Sequence, residues 1–193
     1  MSTPRKVAVF VGSLRKGSFN RMTARTLAAL APAELQLEIV EIGQLPLYNQ
    51  DDDDNGTPRP EWVLFRERVR AADAVLFVTP EYNRSVPGVL KNAIDVGSRP
   101  YGQSVWNGKP GAVISVSPGA IGGFGANQHL RQSCVFLNVP MMQQPEAYIG
   151  GAATLFDKEG NITNESTRKF LKSFIEAFAV WIEKVGFAGT GRQ

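Results

Sequence analysis

The strongest constraint on the fold of this chain is an alternation of short runs rich in β-branched residues with segments of helical periodicity. The first run, 6–11, breaks at Gly12, the pattern of a buried strand that ends in a turn. A polar loop follows, and then Ala24, Leu27, Ala28 and Ala31 recur at helical spacing until Pro32, which cannot continue a helix. The run 35–42 alternates Leu37, Ile39 and Ile42 loosely with charges and reads as a second strand. Residues 74–78, closed by Pro80, supply a third, 112–116 a fourth and 139–144 a fifth.

Between these runs the periodicity changes from strand to helix. The stretch 43–60 carries Asp51, Asp52, Asp53 and Asp54 with Gly56 and prolines, so it is expected to be a long surface loop. Pro60 suits the first turn of a helix whose Trp62, Phe65 and Val69 form one stripe. Pro87 opens a helix carrying Leu90 and Ile94, and a further helix places Leu130, Cys134 and Leu137 on one face. The last helix, 164–185, aligns Phe170, Leu171, Phe174, Phe178, Trp181, Ile182 and Val185. Strands alternating with helices imply an α/β fold with a parallel sheet covered on both faces. For five strands the flavodoxin-like doubly wound order 2-1-3-4-5 is the economical choice, with a ligand beyond the carboxyl ends of strands one and three. Residues 1–193 are expected to form a single domain, near the usual size for one core.

Composition narrows the function. The 21 basic and 18 acidic residues are scattered, with no basic block of the kind that forms a nucleic-acid arm, so no nucleic-acid partner is expected. One cysteine, Cys134, and one histidine, His129, exclude an internal disulfide and are too few soft ligands for a zinc site. No apolar run approaches the ~20 residues of a membrane span, and residues 1–6 lack a secretory apolar stretch. The expected location is cytoplasmic, without membrane partners.

Three loops concentrate the remaining chemistry. The loop 12–20, Gly-Ser-Leu-Arg-Lys-Gly-Ser-Phe-Asn, joins strand one to a helix start, where unpaired N–H groups and the helix dipole attract an anion. Ser13, Ser18 and Asn20 add neutral donors and Arg15 a charge-assisted one, a set suited to phosphate. A helix cap alone would need one such residue, and neither a dinucleotide G-x-G-x-x-G pattern nor a Walker A motif is present, since Gly108 and Lys109 are followed by Pro110. The loop 80–88 has a proline near each end and can present backbone amides to a flat polar ring. Ser117 with Gly119, Gly122 and Gly123 permits close backbone approach to a ligand.

These motifs, GSLRKGSFN at 12–20, TPEYNRSVPGVLKNAID at 79–95 and SPGAIGG with HLRQ within 117–132, resemble those of the NADPH-dependent FMN reductase family, especially its quinone, chromate and azo-dye reductases. The resemblance covers nearly the whole chain. It implies FMN as cofactor, with its phosphate held by Ser13, Arg15, Ser18 and Asn20 in a turn that includes Phe19. It places the isoalloxazine against Pro80, Glu81, Tyr82 and Asn83, with Ser117 and Gly119 closing the third side. It also implies NADPH or NADH as co-substrate, a small-molecule electron acceptor, and a homodimer or homotetramer with FMN near the interface. Arg84 stands where relatives commonly carry an aromatic residue and Val96 where they commonly carry tryptophan, so substrate preference transfers less well than the cofactor.

No catalytic side chain is expected, because the flavin carries the redox chemistry while the protein binds and orients it. Arg84 is a candidate contact for a pyridine-nucleotide phosphate, against the alternative of a plain surface arginine. His129 reads as a helix-surface or interface residue, Cys134 as a buried apolar one, and the four aspartates as a solvated loop without a metal cage. The rival classes are a flavodoxin-type electron carrier and an FMN-binding sensor. The carrier's acidic surface and Thr/Gly-rich phosphate loop are missing here.

Overall fold

The computed structural model describes residues 3–189. In chain order the elements are β1 (Arg5–Val11), α1 (Phe19–Leu30), β2 (Leu35–Ile39), α2 (Gln50–Asp54), α3 (Pro60–Arg70), β3 (Ala74–Thr79), α4 (Gly88–Gly97), β4 (Gly111–Val116), α5 (Phe124–Phe136), β5 (Ala147–Ile149) and α6 (Glu165–Gly189). The five strands form one parallel sheet in the order β2-β1-β3-β4-β5. This is the flavodoxin-like arrangement that the sequence pattern predicts.

The central strands read as continuous apolar runs because both of their faces are covered. On one face Val7, Val9 and Val11 join Leu76, Val78 and Ile114 beneath α1 and α6, where Leu27, Leu171, Phe174 and Phe178 pack. On the other, Ala8, Phe10, Phe77 and Val113 meet Trp62 and Phe65 of α3, Leu90 and Ile94 of α4, and Leu130 and Cys134 of α5. Trp106 fills the gap below α4 and donates its indole N–H to the Ile94 carbonyl at 2.9 Å. Asn164 accepts the Thr167 N–H at 2.9 Å and so starts α6 where the periodicity places it.

Four expectations change. The second strand stops at Ile39: Val40 still donates to the Val9 carbonyl, but the chain then turns to bury Ile42 against the α3 and α4 side. The fifth strand is Ala147–Ile149, whereas 139–144 makes only an isolated bridge from Met141 to Gly111, because Pro140 interrupts that run and removes a ladder donor. The segment 43–60 is not loop throughout. Aspartates favour the first turn of a helix, and α2 starts with the Asn49 carboxamide accepting the Asp51 N–H at 3.3 Å. Nor are the four carboxylates all solvated. Asp53 forms a bidentate pair with Arg66 at 2.7 and 2.9 Å, both side chains 5% exposed or less. The Arg66 hydrogen bonds hold the Asp53 carboxyl below the usual carboxylate range.

Candidate functional site

The loops after β1, β3 and β4 meet at the carboxyl edge of the sheet. Gly12 donates to the Val78 carbonyl at 2.9 Å, and a Cβ there would lie 3.1 Å from Pro80 Cδ and Leu90 Cδ2 and 3.2 Å from Thr79 Oγ1. Glycine at the end of β1 thus lets the first loop lie against the second. Asn20, 4% exposed at the start of α1, donates to the Val116 carbonyl at 3.3 Å and ties that helix to the end of β4.

In the first loop Ser18 is the N-cap of α1, its hydroxyl accepting the Arg21 N–H at 3.2 Å. That leaves the N–H groups of Phe19 and Asn20, the first two helical residues, without an intrahelical acceptor. Ser13 and Ser18 are buried beside them, while Arg15 and Lys16 stand exposed above. Arg21 is not available to an anion, because its guanidinium grips Glu41 at 2.6 and 2.7 Å and holds that carboxyl below its ordinary range. The Phe19 ring stacks on Phe156 at 6.1 Å, so Phe19 faces the site with its backbone and not its ring. The Asn20 Oδ1 is buried without a partner. An orphaned acceptor beside free amides fits a ligand that carries hydroxyl donors next to an anionic tail, as the ribityl phosphate of FMN does.

In the second loop Tyr82 and Ser85 exchange backbone hydrogen bonds at 3.1 and 2.9 Å around Asn83 and Arg84. Both central residues have positive φ, 51° and 65°, the sign pattern of a type I′ turn. Pro80 is buried, whereas Tyr82, Asn83 and Arg84 are exposed. The Glu81 side chain bridges the turn and α5: its Oε2 accepts the Ala126 N–H of α5 at 3.0 Å, and Oε1 lies 3.6 Å from the Arg84 guanidinium. In the third loop Ser117 accepts the Gly119 N–H at 3.1 Å, and Gly122 packs on the backbone of Tyr148.

The structure therefore brings the first, second and third loops together as the sequence pattern implies. Sequence reasoning misses the supporting shell. Asn127, fully buried, donates to Ser115 Oγ and the Ala147 carbonyl at 3.3 and 3.1 Å and accepts from Arg131, joining β4, β5 and α5. His129, read as a helix-surface or interface residue, is exposed on α5 and lies 2.9 Å by its Nδ1 from Ser85 Oγ, beside a recess of about 480 Å³ lined by Ser85, Val86, Lys91, His129, Gln132 and Ser133. Cys134 is buried, and burial pushes its thiol up to about 12. Among the described residues no cluster of three potential metal ligands exists, and no helix is long and apolar enough to cross a membrane.

A family model described as NADPH-dependent FMN reductase matches residues 5–154. A quinone reductase of Pseudomonas putida is 65% identical over 183 residues, covering 95% of this chain and 97% of the relative. A 2-hydroxy-1,4-benzoquinone reductase of a Burkholderia species is 52% identical over 92% of this chain and 96% of its own length. Among solved structures, the flavoenzyme NAD(P)H:(acceptor) oxidoreductase FerB of Paracoccus denitrificans superposes with a TM-score of 0.87 at 45% identity, covering 94% of this chain and 98% of that one.

Proposed function

Since the chain belongs to the NADPH-dependent FMN reductase family, we propose that it is an FMN-dependent NAD(P)H oxidoreductase that reduces quinones or similar small acceptors. The observation that carries this reading is the convergence of a phosphate-suited helix start, a proline-stiffened turn and a glycine-rich third loop on one edge of a flavodoxin-like sheet. When bound, FMN supplies the chemistry of accepting a hydride and passing electrons on.

The protein's part is to hold and orient. The amides of Phe19 and Asn20, with Ser13, Ser18 and Arg15, receive the phosphate at the positive end of α1. Pro80, Glu81, Tyr82 and Asn83 offer the backbone that meets the ring, and Ser117 and Gly119 close the third side. Arg84, exposed at the tip of the turn, meets the nicotinamide nucleotide. Nucleotide and acceptor use one site in turn, which needs no general acid or base from the chain. Residues 1–193 act as one cytoplasmic domain that assembles as a dimer or tetramer. Support for assembly comes from Tyr101, Val135 and Phe136, which stand 83%, 78% and 77% exposed and would be covered by a second copy.

The test is the visible spectrum of the purified protein and its NADPH consumption with a quinone. A yellow protein that oxidises NADPH steadily, with parallel initial-rate lines as both substrates vary, is expected. A yellow protein without turnover would make it an electron carrier or sensor, and intersecting lines would require both substrates bound together.

A further inference from the structure

We propose that Glu81 and His129 are positioning residues through which α5 clamps the flavin-facing turn 82–85 from both sides. This rests on the FMN-site reading above, and it assigns the Glu81 carboxylate to the protein and not to the ring.

The N-cap position of α5 is Gly123, with φ of 77° and no side chain to cap the helix. The missing acceptor comes from 45 residues away: Glu81 Oε2 takes the Ala126 N–H, the third helical residue and the usual target of an N-cap oxygen. The charge also faces the positive end of the helix dipole. Gly125 makes the approach possible, because a Cβ there would lie 2.7 Å from the Arg84 carbonyl oxygen and 2.9 Å from Glu81 Oε2. One turn along the same helix, His129 Nδ1 holds Ser85 Oγ at 2.9 Å. The two anchors flank a turn whose Asn83 and Arg84 both occupy the left-handed region, which a bulky arginine adopts only where its surroundings over-determine the backbone. Among the described residues, the Tyr82 and Ser85 backbone pair and the Glu81–Arg84 ion pair at 3.6 Å are the other polar contacts that hold Arg84 at φ 65°.

The experiment compares Glu81→Ala, Glu81→Gln, His129→Ala and Gly125→Ala by FMN fluorescence titration and by hydrogen exchange of the Tyr82 and Ser85 amides. Glu81→Ala is expected to weaken FMN binding about tenfold and to speed exchange of both amides. Glu81→Gln keeps an acceptor for Ala126 and stays within about threefold of the parent. Gly125→Ala keeps the carboxylate yet displaces the turn, and so reproduces the Glu81→Ala loss; His129→Ala speeds Ser85 exchange. Unchanged affinity and exchange in Glu81→Ala would overturn the proposal. So would a folded Glu81→Gln protein that binds FMN as weakly as Glu81→Ala while its Tyr82 and Ser85 amides exchange as slowly as the parent's, because the charge would then act on the ligand without the turn moving. If the parent protein itself fails to bind FMN, the FMN-site reading falls, and the exchange rates alone decide whether α5 clamps the turn.

Discussion

Replacing Arg15 with alanine isolates the phosphate interaction from everything else the cofactor touches. Arg15 is exposed on the first loop and has no carboxylate within ion-pair reach among the described residues, so its removal leaves the fold without a broken contact. A hydrogen bond to a charged group is worth roughly 1.5 to 3 kcal/mol, and solvent at this exposed site reduces that to about 1 to 2 kcal/mol. At ~1.4 kcal/mol per tenfold, the FMN dissociation constant should rise about five- to thirtyfold. Riboflavin has the same ring and ribityl chain but no phosphate, so its affinity should change less than about twofold. Fluorescence quenching titrations with both flavins, at low and at physiological salt, provide the comparison. The parent's FMN affinity should fall as salt rises, and the variant's should fall less. Ser18→Ala is the contrasting control: it also removes the α1 cap, costs about 1 kcal/mol of stability, and should lower the melting temperature where Arg15→Ala does not. Equal losses for FMN and riboflavin in Arg15→Ala, or none for either, would refute the assignment of this loop to a phosphate.

Two further outcomes follow from the structure. Asp53→Asn removes the charge that compensates the buried Arg66 guanidinium and leaves it neutral acceptors alone, the Val96 carbonyl on its Nε among them, so stability should drop by about 3 to 5 kcal/mol in urea melts. Because the folded Asp53 carboxyl lies below its ordinary value of about 3.9, the pair's contribution is complete above that pH and is lost as pH falls through the lower folded value; the variant's acid profile should lack this step. Arg84→Ala should raise KM for NADPH more than for NADH if the guanidinium meets the extra phosphate, and Arg84→Gly, which suits the left-handed φ of 65°, should shift each KM as Arg84→Ala does while raising the melting temperature above that of Arg84→Ala; the same shift for NADPH as for NADH would leave Arg84 a plain surface arginine.

What was legible in the sequence follows from burial. Strands β1, β3 and β4 are covered on both faces, so 6–11, 74–78 and 112–116 appear as unbroken apolar runs, and α6 shows its stripe because one face alone is buried. Strand β5 is three residues long at the sheet's margin, too short for any period to register, while the richer run of Val139, Met141 and Met142 draws attention to a segment that only bridges Gly111. Four adjacent aspartates suggest repulsion in solvent; the partner that makes Asp53 a buried ion, Arg66, lies 13 residues on and is not signalled by local pattern. The three ligand loops are visible because glycine, proline and serine punctuate the carboxyl ends of strands.

Several supporting contacts are invisible for a different reason: those of Asn20 and Glu81 end on backbone groups, which every residue carries, and the approach of Gly12 to Pro80 depends on a side chain that is missing. Gly12 against Pro80, Asn20 on the Val116 carbonyl and Glu81 on the Ala126 N–H link the first loop to the second, the first to the third, and the second to α5 behind the third. These links close a ring around the carboxyl edge of the sheet, so the position of each loop depends on the other two. Side chains inside such a ring should couple when mutated in pairs, whereas Arg15, which projects outside it, should add independently to any of them. A site built this way holds its ligand-facing amides in place before the ligand arrives, which lowers the ordering cost of binding. That division, with charge on the exposed rim and geometry in the buried ring, explains how substitutions at the rim, such as Arg84, can alter which substrate is preferred without dismantling the cradle for the cofactor.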